Sequence, residues 1–374
     1  MQIIVFLFLV VTVVWVVAAL FLCGPDHSQY DDPEPVLHRD PGTVSADNAE
    51  VKKLINVMFS ELRGVSLLRR IYRLRELFDE GFTGSPMTAD GLGVQITGTE
   101  AGGVAAEWVV APGASGARRL LYIHGGAFAI GSPTSHRMIT AALSKACGVS
   151  VLAIDYRLFP EHFRRAAIAD CKAAYRYLLE NGPSGPGDAQ DVYVAGDSAG
   201  GNLSLMLSAW ASENQLPTMD AVVAFSPSTD STLSNPSARR NIATDPLLGP
   251  GLGPLARLPR PLRALLSSLM GMLNASSVAM SPLFGELRNL PPTLVFASDC
   301  EMLLDDSLRY VNKARAQGSP VRLQLWPGMV HVWQMFQHVL PEARESIDEA
   351  AAFIAAHSSA SQAGSNPQTV AGSS

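Results

Sequence analysis

The chain has 374 residues, 47% of them apolar, with a formal net charge of −6 at pH 7. That length suits one large α/β domain with insertions or two ordinary domains, and the acidic balance leaves no basic surface for nucleic acid. The four cysteines, Cys23, Cys147, Cys171 and Cys300, include no C-x-x-C pair, which argues against a zinc site or a redox dithiol, and nothing in their spacing points to disulfides.

The first element is apolar. Ile3 to Leu22 carries no charge, and Thr12 is its only polar side chain. Twenty residues of helix span about 30 Å, the thickness of a bilayer core. A cleaved signal peptide is the alternative. Against it, there is no basic n-region, the run is long for an h-region, no A-x-A site follows, and the bulky Leu22 before Cys23 makes a poor lipoprotein signal. The expectation is a retained single-pass anchor over residues 1–23. The amino terminus supplies the only positive charge before the span, and the first Lys or Arg is Arg39, which tilts the following domain to the outside of the cytoplasm.

Residues 24–46 carry Pro25, Pro33, Pro35 and Pro41 among acidic and small residues, and read as an extended tether. Two amphipathic helices follow. One, over about 48–62, has Val51, Leu54, Ile55, Met58 and Phe59 on one face; the other, over about 67–78, has Leu68, Ile71, Leu74, Leu77 and Phe78. Arg69, Arg70, Arg73 and Arg75 between those positions are expected on a solvated face.

From about 104 the pattern becomes short apolar strands alternating with helices. Strands are expected at Val104–Val110, Leu120–Ile123, Val149–Asp155, Val192–Ala195, Val222–Phe225, Thr293–Ala297 and Val321–Leu325. Helices are expected near 135–146, 165–180, 200–212, 303–316 and 342–356. Such alternation implies a mainly parallel central sheet with helices on both faces. Residues 228–289, rich in Pro, Gly and Ser, break the rhythm as an insertion between two strands. With the segment at about 47–90 it would form a helical cap on a domain running from 47 to 356. The Ser- and Ala-rich tail, 357–374, is expected to be disordered.

The chemistry centres on Gly196-Asp197-Ser198-Ala199-Gly200, a G-x-S-x-G motif between an expected strand and an expected helix. A plain tight turn would carry the same glycines, so the case for a nucleophile rests on partners. His331, in Pro327-Gly328-Met329-Val330-His331, follows a strand end and is the candidate base. Candidate acids lie after Thr293–Ala297: Asp299, Glu301 or Asp305 could each orient that imidazole. Asp305 and Asp306 fall in the first turn of a helix, where favourable charge alone explains them. His124-Gly125-Gly126-Ala127-Phe128 after Leu120–Ile123 offers backbone N–H groups for an oxyanion, and the Ala199 N–H would complete the hole. His124 reads as a loop organiser. No metal, nucleotide or flavin motif appears, so no cofactor is expected.

These pieces, in order, resemble the hormone-sensitive-lipase family of α/β-hydrolases, the bacterial carboxylesterases related to arylacetamide deacetylases. The resemblance covers about residues 90–356 and is carried by the His124–Phe128 loop with Gly131, Asp155-Tyr156-Arg157-Leu158-Phe159-Pro160-Glu161-His162, Gly196–Gly201, Ser281-Pro282-Leu283 and Gly328–His331. It implies an α/β-hydrolase fold and a catalytic triad of Ser198, Glu301 and His331, with Glu301 in place of the commoner aspartate. It further implies an oxyanion hole at Gly126, Ala127 and Ala199, with His124, Gly125, Asp197 and Asp305 supporting the site. Two positions depart from the family pattern. Ala127 replaces the usual third glycine, and Phe163-Arg164-Arg165 replaces a Pro-rich turn. The implied function is hydrolysis of short- to medium-chain esters through an acyl-enzyme. The implied partners are an apolar small-molecule ester and, through the N-terminal helix, a membrane. An amide deacetylase with the same triad and a non-catalytic binding protein are the rivals.

Overall fold

The computed structural model describes residues 1–62, 64–80 and 89–359. The proposed tail from 360 onward, and residues 63 and 81–88 of the proposed cap, lie outside the described residues.

Eight strands form one sheet. They are β1 (Gln95–Glu100), β2 (Ala105–Val110), β3 (Ser115–Ile123), β4 (Val149–Ile154), β5 (Asp191–Asp197), β6 (Ala221–Phe225), β7 (Thr293–Ser298) and β8 (Val321–Trp326). Their order is β1-β2-β4-β3-β5-β6-β7-β8. β1 and β2 pair antiparallel, β2 joins β4 antiparallel, and all later pairings are parallel. The seven expected strands are present, each shifted by a few residues at most. β1 was not expected: Gln-Ile-Thr-Gly-Thr-Glu is polar, and as an edge strand it is half exposed along its length. The central β4, β5, β6 and β7 are buried at every residue, which is why they read as continuous apolar runs rather than alternating ones.

Each sheet face carries its own core. On one side Tyr122, Tyr193, Phe225 and Phe296 pack with Val51, Ile55 and Phe78 of the N-terminal helices and with Ile347 and Ile354 near the C-terminus. On the other, Leu121, Val194 and Val295 pack with Ile168, Tyr175, Leu203, Leu207 and Tyr310. The described helices of eight or more residues, in chain order, are α1 (Gln2–Val17), α2 (Asp47–Glu61), α3 (Leu67–Glu80), α4 (Arg137–Cys147), α5 (Arg164–Glu180), α6 (Ala199–Glu213), α7 (Gly249–Ala256), α8 (Arg260–Gly271), α9 (Leu304–Ala316) and α10 (Pro341–Ala356). The insertion between β6 and β7 supplies α7 and α8.

α1 runs on through Leu22, and Val5–Leu22 is long and apolar enough to cross a membrane. After it, the segment expected as a tether lies against the body. Arg309 pairs with Asp31, the His38 N–H donates to the Leu325 carbonyl, Arg39 pairs with Glu345, and Glu342 accepts from both the N–H and the hydroxyl of Ser45. It includes short 3-10 turns at Ser28–Tyr30 and Pro41–Thr43, and partners far along the chain, invisible to local reading, hold it down.

Arg75 departs from the expected solvated face. It forms a bidentate pair with Glu161 and donates to the carbonyls of Ala129 and Phe159. α3 is thereby fastened to the two loops that border Ser198. Arg73, by contrast, pairs with Glu76 on its own exposed helix face, as expected.

Candidate active site

The parallel strands point their C-terminal ends to one rim, and the site forms there. β5 ends at Asp197, and α6 begins at Ala199. Ser198 therefore occupies the turn alone, with φ 51° and ψ −113°, a region side chains rarely adopt. The turn tolerates no bulk around it. A Cβ on Gly196 would stand 2.6 Å from the carbonyls of both Gly200 and Ile123, and one on Gly200 would collide with the Ile123 carbonyl. The G-x-S-x-G pattern is thus a packing requirement, and its effect is to push the Ser198 hydroxyl out over the rim.

Asp197 locks the turn to the neighbouring loop. Its carboxylate accepts from the Tyr122 hydroxyl at 2.7 Å and the Gly125 N–H at 2.9 Å, and it lies 3.4 Å from His136 Nε2. Burial pushes this carboxyl up, but His136, the Tyr122 hydroxyl and His124 outweigh it, and it stays below its ordinary value. Gly125 has no room for a side chain beside that carboxylate. His124 is buried, stacked on Tyr156 with ring centroids 4.3 Å apart, and its Nδ1 meets the Gly125 carbonyl. Burial and nearby His136 lower it to about 3, so it is neutral. Ala127 and Phe128 both have positive φ, and with Gly126 they curl the loop over Ser198.

His331 Nε2 lies 2.8 Å from Ser198 Oγ. Glu301 Oε1 lies 3.7 Å from His331 Nδ1 and accepts from the Ser226 hydroxyl at 2.5 Å. Ser198, Glu301 and His331 are all buried. Burial alone would lower the imidazole, but the Glu301 carboxylate beside it prevails and raises it. Burial raises Glu301 itself, against the pull of His331 and Ser226.

Of the three acids left open by the local sequence, Glu301 alone is beside the imidazole. Asp299 accepts from the Gly328 N–H at 2.6 Å and so fastens the loop that carries His331. Asp305 accepts from the Ser237 N–H at 2.6 Å at the start of the insertion. Sequence reading missed Ser226, His136 and Tyr122. Each touches the site from a separate strand or loop, and no local pattern marks them.

Two pockets meet at Ser198. One, with about 910 Å³ of empty space partly open to solvent, runs between Phe128, Phe159, Arg164, Leu252, Met270 and Met280. The other, about 710 Å³, lies on the His331 side between Phe59, Leu74, Phe78, Ile130, Leu247 and Met335. Both linings are mainly apolar. Arg164 is buried against Phe128, with its guanidinium 3.8 Å from the ring centroid; it donates to Asn202 and the Met280 carbonyl. Burial lowers it to about 9. Among the described residues no group of His, Cys, Asp or Glu is arranged to hold a metal.

Sheet order, rim and pockets define an α/β-hydrolase. Residues 120–335 match a family model described as the alpha/beta hydrolase fold. An acetyl-hydrolase from Streptomyces hygroscopicus is 38% identical over 250 residues, covering 67% of this chain and 79% of that protein. An esterase from Acinetobacter venetianus is 34% identical over 264 residues, covering 70% and 82%. A solved esterase of the bacterial hormone-sensitive lipase family superposes with a TM-score of 0.71 at 32% identity, covering 83% of this chain and 97% of that one. The chain belongs to the hormone-sensitive-lipase family of α/β-hydrolases, and it is a carboxylic ester hydrolase.

Proposed function

We propose that Ser198, His331 and Glu301 act as a catalytic triad that hydrolyses short- to medium-chain carboxylic esters through an acyl-enzyme. The observation that carries this reading is the 2.8 Å contact between Ser198 Oγ and His331 Nε2 where two apolar pockets meet. His331 takes the hydroxyl proton as Ser198 Oγ attacks the ester carbonyl. The N–H groups of Gly126, Ala127 and Ala199 receive the oxyanion; such donors are each worth about 10²–10³ in kcat. The first N–H groups of α6 have no acceptor within their helix, which suits the Ala199 role. The Ala127 methyl narrows the approach without removing its donor. His331 then returns the proton to the departing alcohol, and water repeats the sequence on the acyl-serine. Glu301 holds the imidazole and balances its charge.

The alcohol must leave next to the group that protonates it, so the His331-side pocket takes the alcohol and the Met270-side pocket takes the acyl chain. α1, by its length and apolar surface, is proposed as a retained anchor that keeps the hydrolase domain on a membrane, on the side away from the cytoplasm. A fluorophosphonate probe with peptide mass spectrometry tests the triad. Modification is expected at Ser198 alone, with parallel loss of p-nitrophenyl butyrate turnover. Turnover that survives full modification would sink the mechanism.

A further inference from the structure

The base of the apolar helix is built into the cap. The Asn274 side chain donates to the Phe21 carbonyl at 2.9 Å, and Arg260 donates to the Cys23 carbonyl at 2.7 Å. Cys23 packs in a small buried cluster with Ala264 and Ala275, with Leu22 against it. Phe21 belongs to the last turn of the span, so whatever the tilt of that helix, Asn274 stands at the boundary between lipid and water.

The surface around Asn274 is unusual. From Ala264 to Gly285 there is no charged residue. Leu269, Met270 and Met272 are each more than half exposed, and Val278 is more than a third exposed. They stand on the same hairpin of α8 and its following loop. Met270 also lines the larger pocket, with Gly271 and Met280 beside it and Ser198 and Ala199 at the other end. A side chain that is both exposed and pocket-lining marks an opening. Met270 thus marks an opening within two residues of Met272 and four of Asn274, apart from the exposed lining residue Ala127 beside Ser198.

We propose that Leu269–Val278 inserts into the lipid surface beside the anchor and that the pocket draws its ester directly from the bilayer. The substrate class is an uncharged medium-chain ester, apolar enough to stay dissolved in the membrane. Two physical terms favour this arrangement. The anchor makes insertion of the hairpin intramolecular, so weak apolar contacts suffice to hold it there. An ester concentrated in lipid also avoids the cost of passing through water before it meets the pocket. The inference rests on the ester hydrolase and anchor readings above.

The test uses the full chain in phosphatidylcholine vesicles. L269E/M272E places two charges on the hairpin without touching the pocket lining. Turnover of p-nitrophenyl decanoate dissolved in the vesicles is expected to fall at least about tenfold, because the hairpin can no longer enter lipid. Turnover of water-soluble p-nitrophenyl acetate should stay within about twofold of wild type, which also certifies folding. Equal decanoate turnover by variant and wild type, with acetate intact, overturns the proposal. Docking is also read without catalysis. A bimane on M272C, with the unsubstituted chain labelled in parallel as a blank, is expected to be quenched by spin-labelled lipid and shielded from aqueous iodide. The reverse pattern overturns docking, whereas loss of both esterase activities in wild type with lipid quenching intact would count against the ester reading alone.

Discussion

The turn that carries Ser198 and the loop that carries Glu301 are separated on the sheet by one strand, β6, and they are held in opposite ways. Around Ser198 the backbone closes on itself. The Ser198 N–H donates to the Phe225 carbonyl, the Ser198 carbonyl accepts from Asn202 and Ser228, and Asp197 has three polar neighbours. Among the described residues Glu301 has a single hydroxyl, Ser226, on Oε1; its Oε2 has no partner there, and His331 is 3.7 Å away. That distance is longer than a hydrogen bond, and the imidazole Nδ1 is also without a partner. Ser198, the proposed nucleophile, is fixed by steric necessity, whereas Glu301, the proposed acid, has room to close on the imidazole if positive charge develops there. Contacts of this kind commonly tighten only in the reacting complex.

The largest expected effect breaks the rigid half. Ser198→Ala should lower kcat on p-nitrophenyl butyrate by about 10⁴–10⁶-fold, since no nearby hydroxyl occupies the same strained turn. Circular dichroism should be unchanged, because the side chain makes no bond needed by the fold other than that to His331. Residual activity within about tenfold of wild type would remove Ser198 from the mechanism.

The next effect probes the adjustable half. Glu301→Gln should reduce kcat/KM by about 10²–10⁴-fold and also move the pH profile. His331 must be neutral to accept a proton, and the Glu301 carboxylate raises its pKa above the ordinary 6.5. Wild-type activity should therefore fall, as pH drops, at a higher pH than an ordinary imidazole would dictate. Removing the carboxylate leaves burial as the dominant influence, which lowers the imidazole, so the acid limb should shift to lower pH. Profiles of kcat/KM over about pH 5 to 9 read the sign. A limb that stays in place or moves upward would show that another group sets the base.

The same division separates what was legible in the sequence from what was not. Ser198, Asp197, Gly125 and His124 belong to short contiguous patterns whose spacing is imposed by tight packing, so the glycines announce them. His331 is legible from its place after a strand. Glu301 is not, because Asp299, Glu301 and Asp305 fall within seven consecutive residues, and only the fold, or a family resemblance, tells which one meets the imidazole. β1 escaped because an exposed edge strand needs no apolar face. Arg75 escaped because its partners, Glu161 and the carbonyls of Ala129 and Phe159, are remote in the chain. Ser226 escaped for a related reason: a lone serine after a strand has no local signature, and its function exists only through a carboxylate 75 residues away.

Ser226→Ala is accordingly a sharper probe of the acid than its distance from Ser198 suggests. Among the described residues the hydroxyl is the one hydrogen-bond donor to Glu301, and it favours the ionised carboxylate. Its loss should cost about tenfold in kcat with KM little changed, because the effect is on charge balance in the transition state. The acid limb should also move downward, in the same direction as for Glu301→Gln but by less. An unaltered kcat would mean that Glu301 is held well enough by its surroundings and that the loop is stiffer than its bonding implies.

The smallest expected effect concerns Asp299, which lies two residues before Glu301 but holds the loop that carries His331. Its carboxylate accepts from the Gly328 N–H, and its own N–H donates to the Trp326 carbonyl, so it ties β7's end to the segment leading into His331. Gly328 has φ 71°, a conformation that relies on such an external bond to stay in register. Asp299→Ala should let that loop drift and lower kcat by about three- to tenfold, whereas Asp299→Asn keeps an acceptor oxygen and should restore most of it. Because Asp299 does not face the imidazole, neither variant should move the pH limb. A shift of that limb with Asp299→Asn, equal to the one from Glu301→Gln, would transfer the acid role from Glu301 to Asp299 and undo the contrast between a locked nucleophile and an adjustable acid.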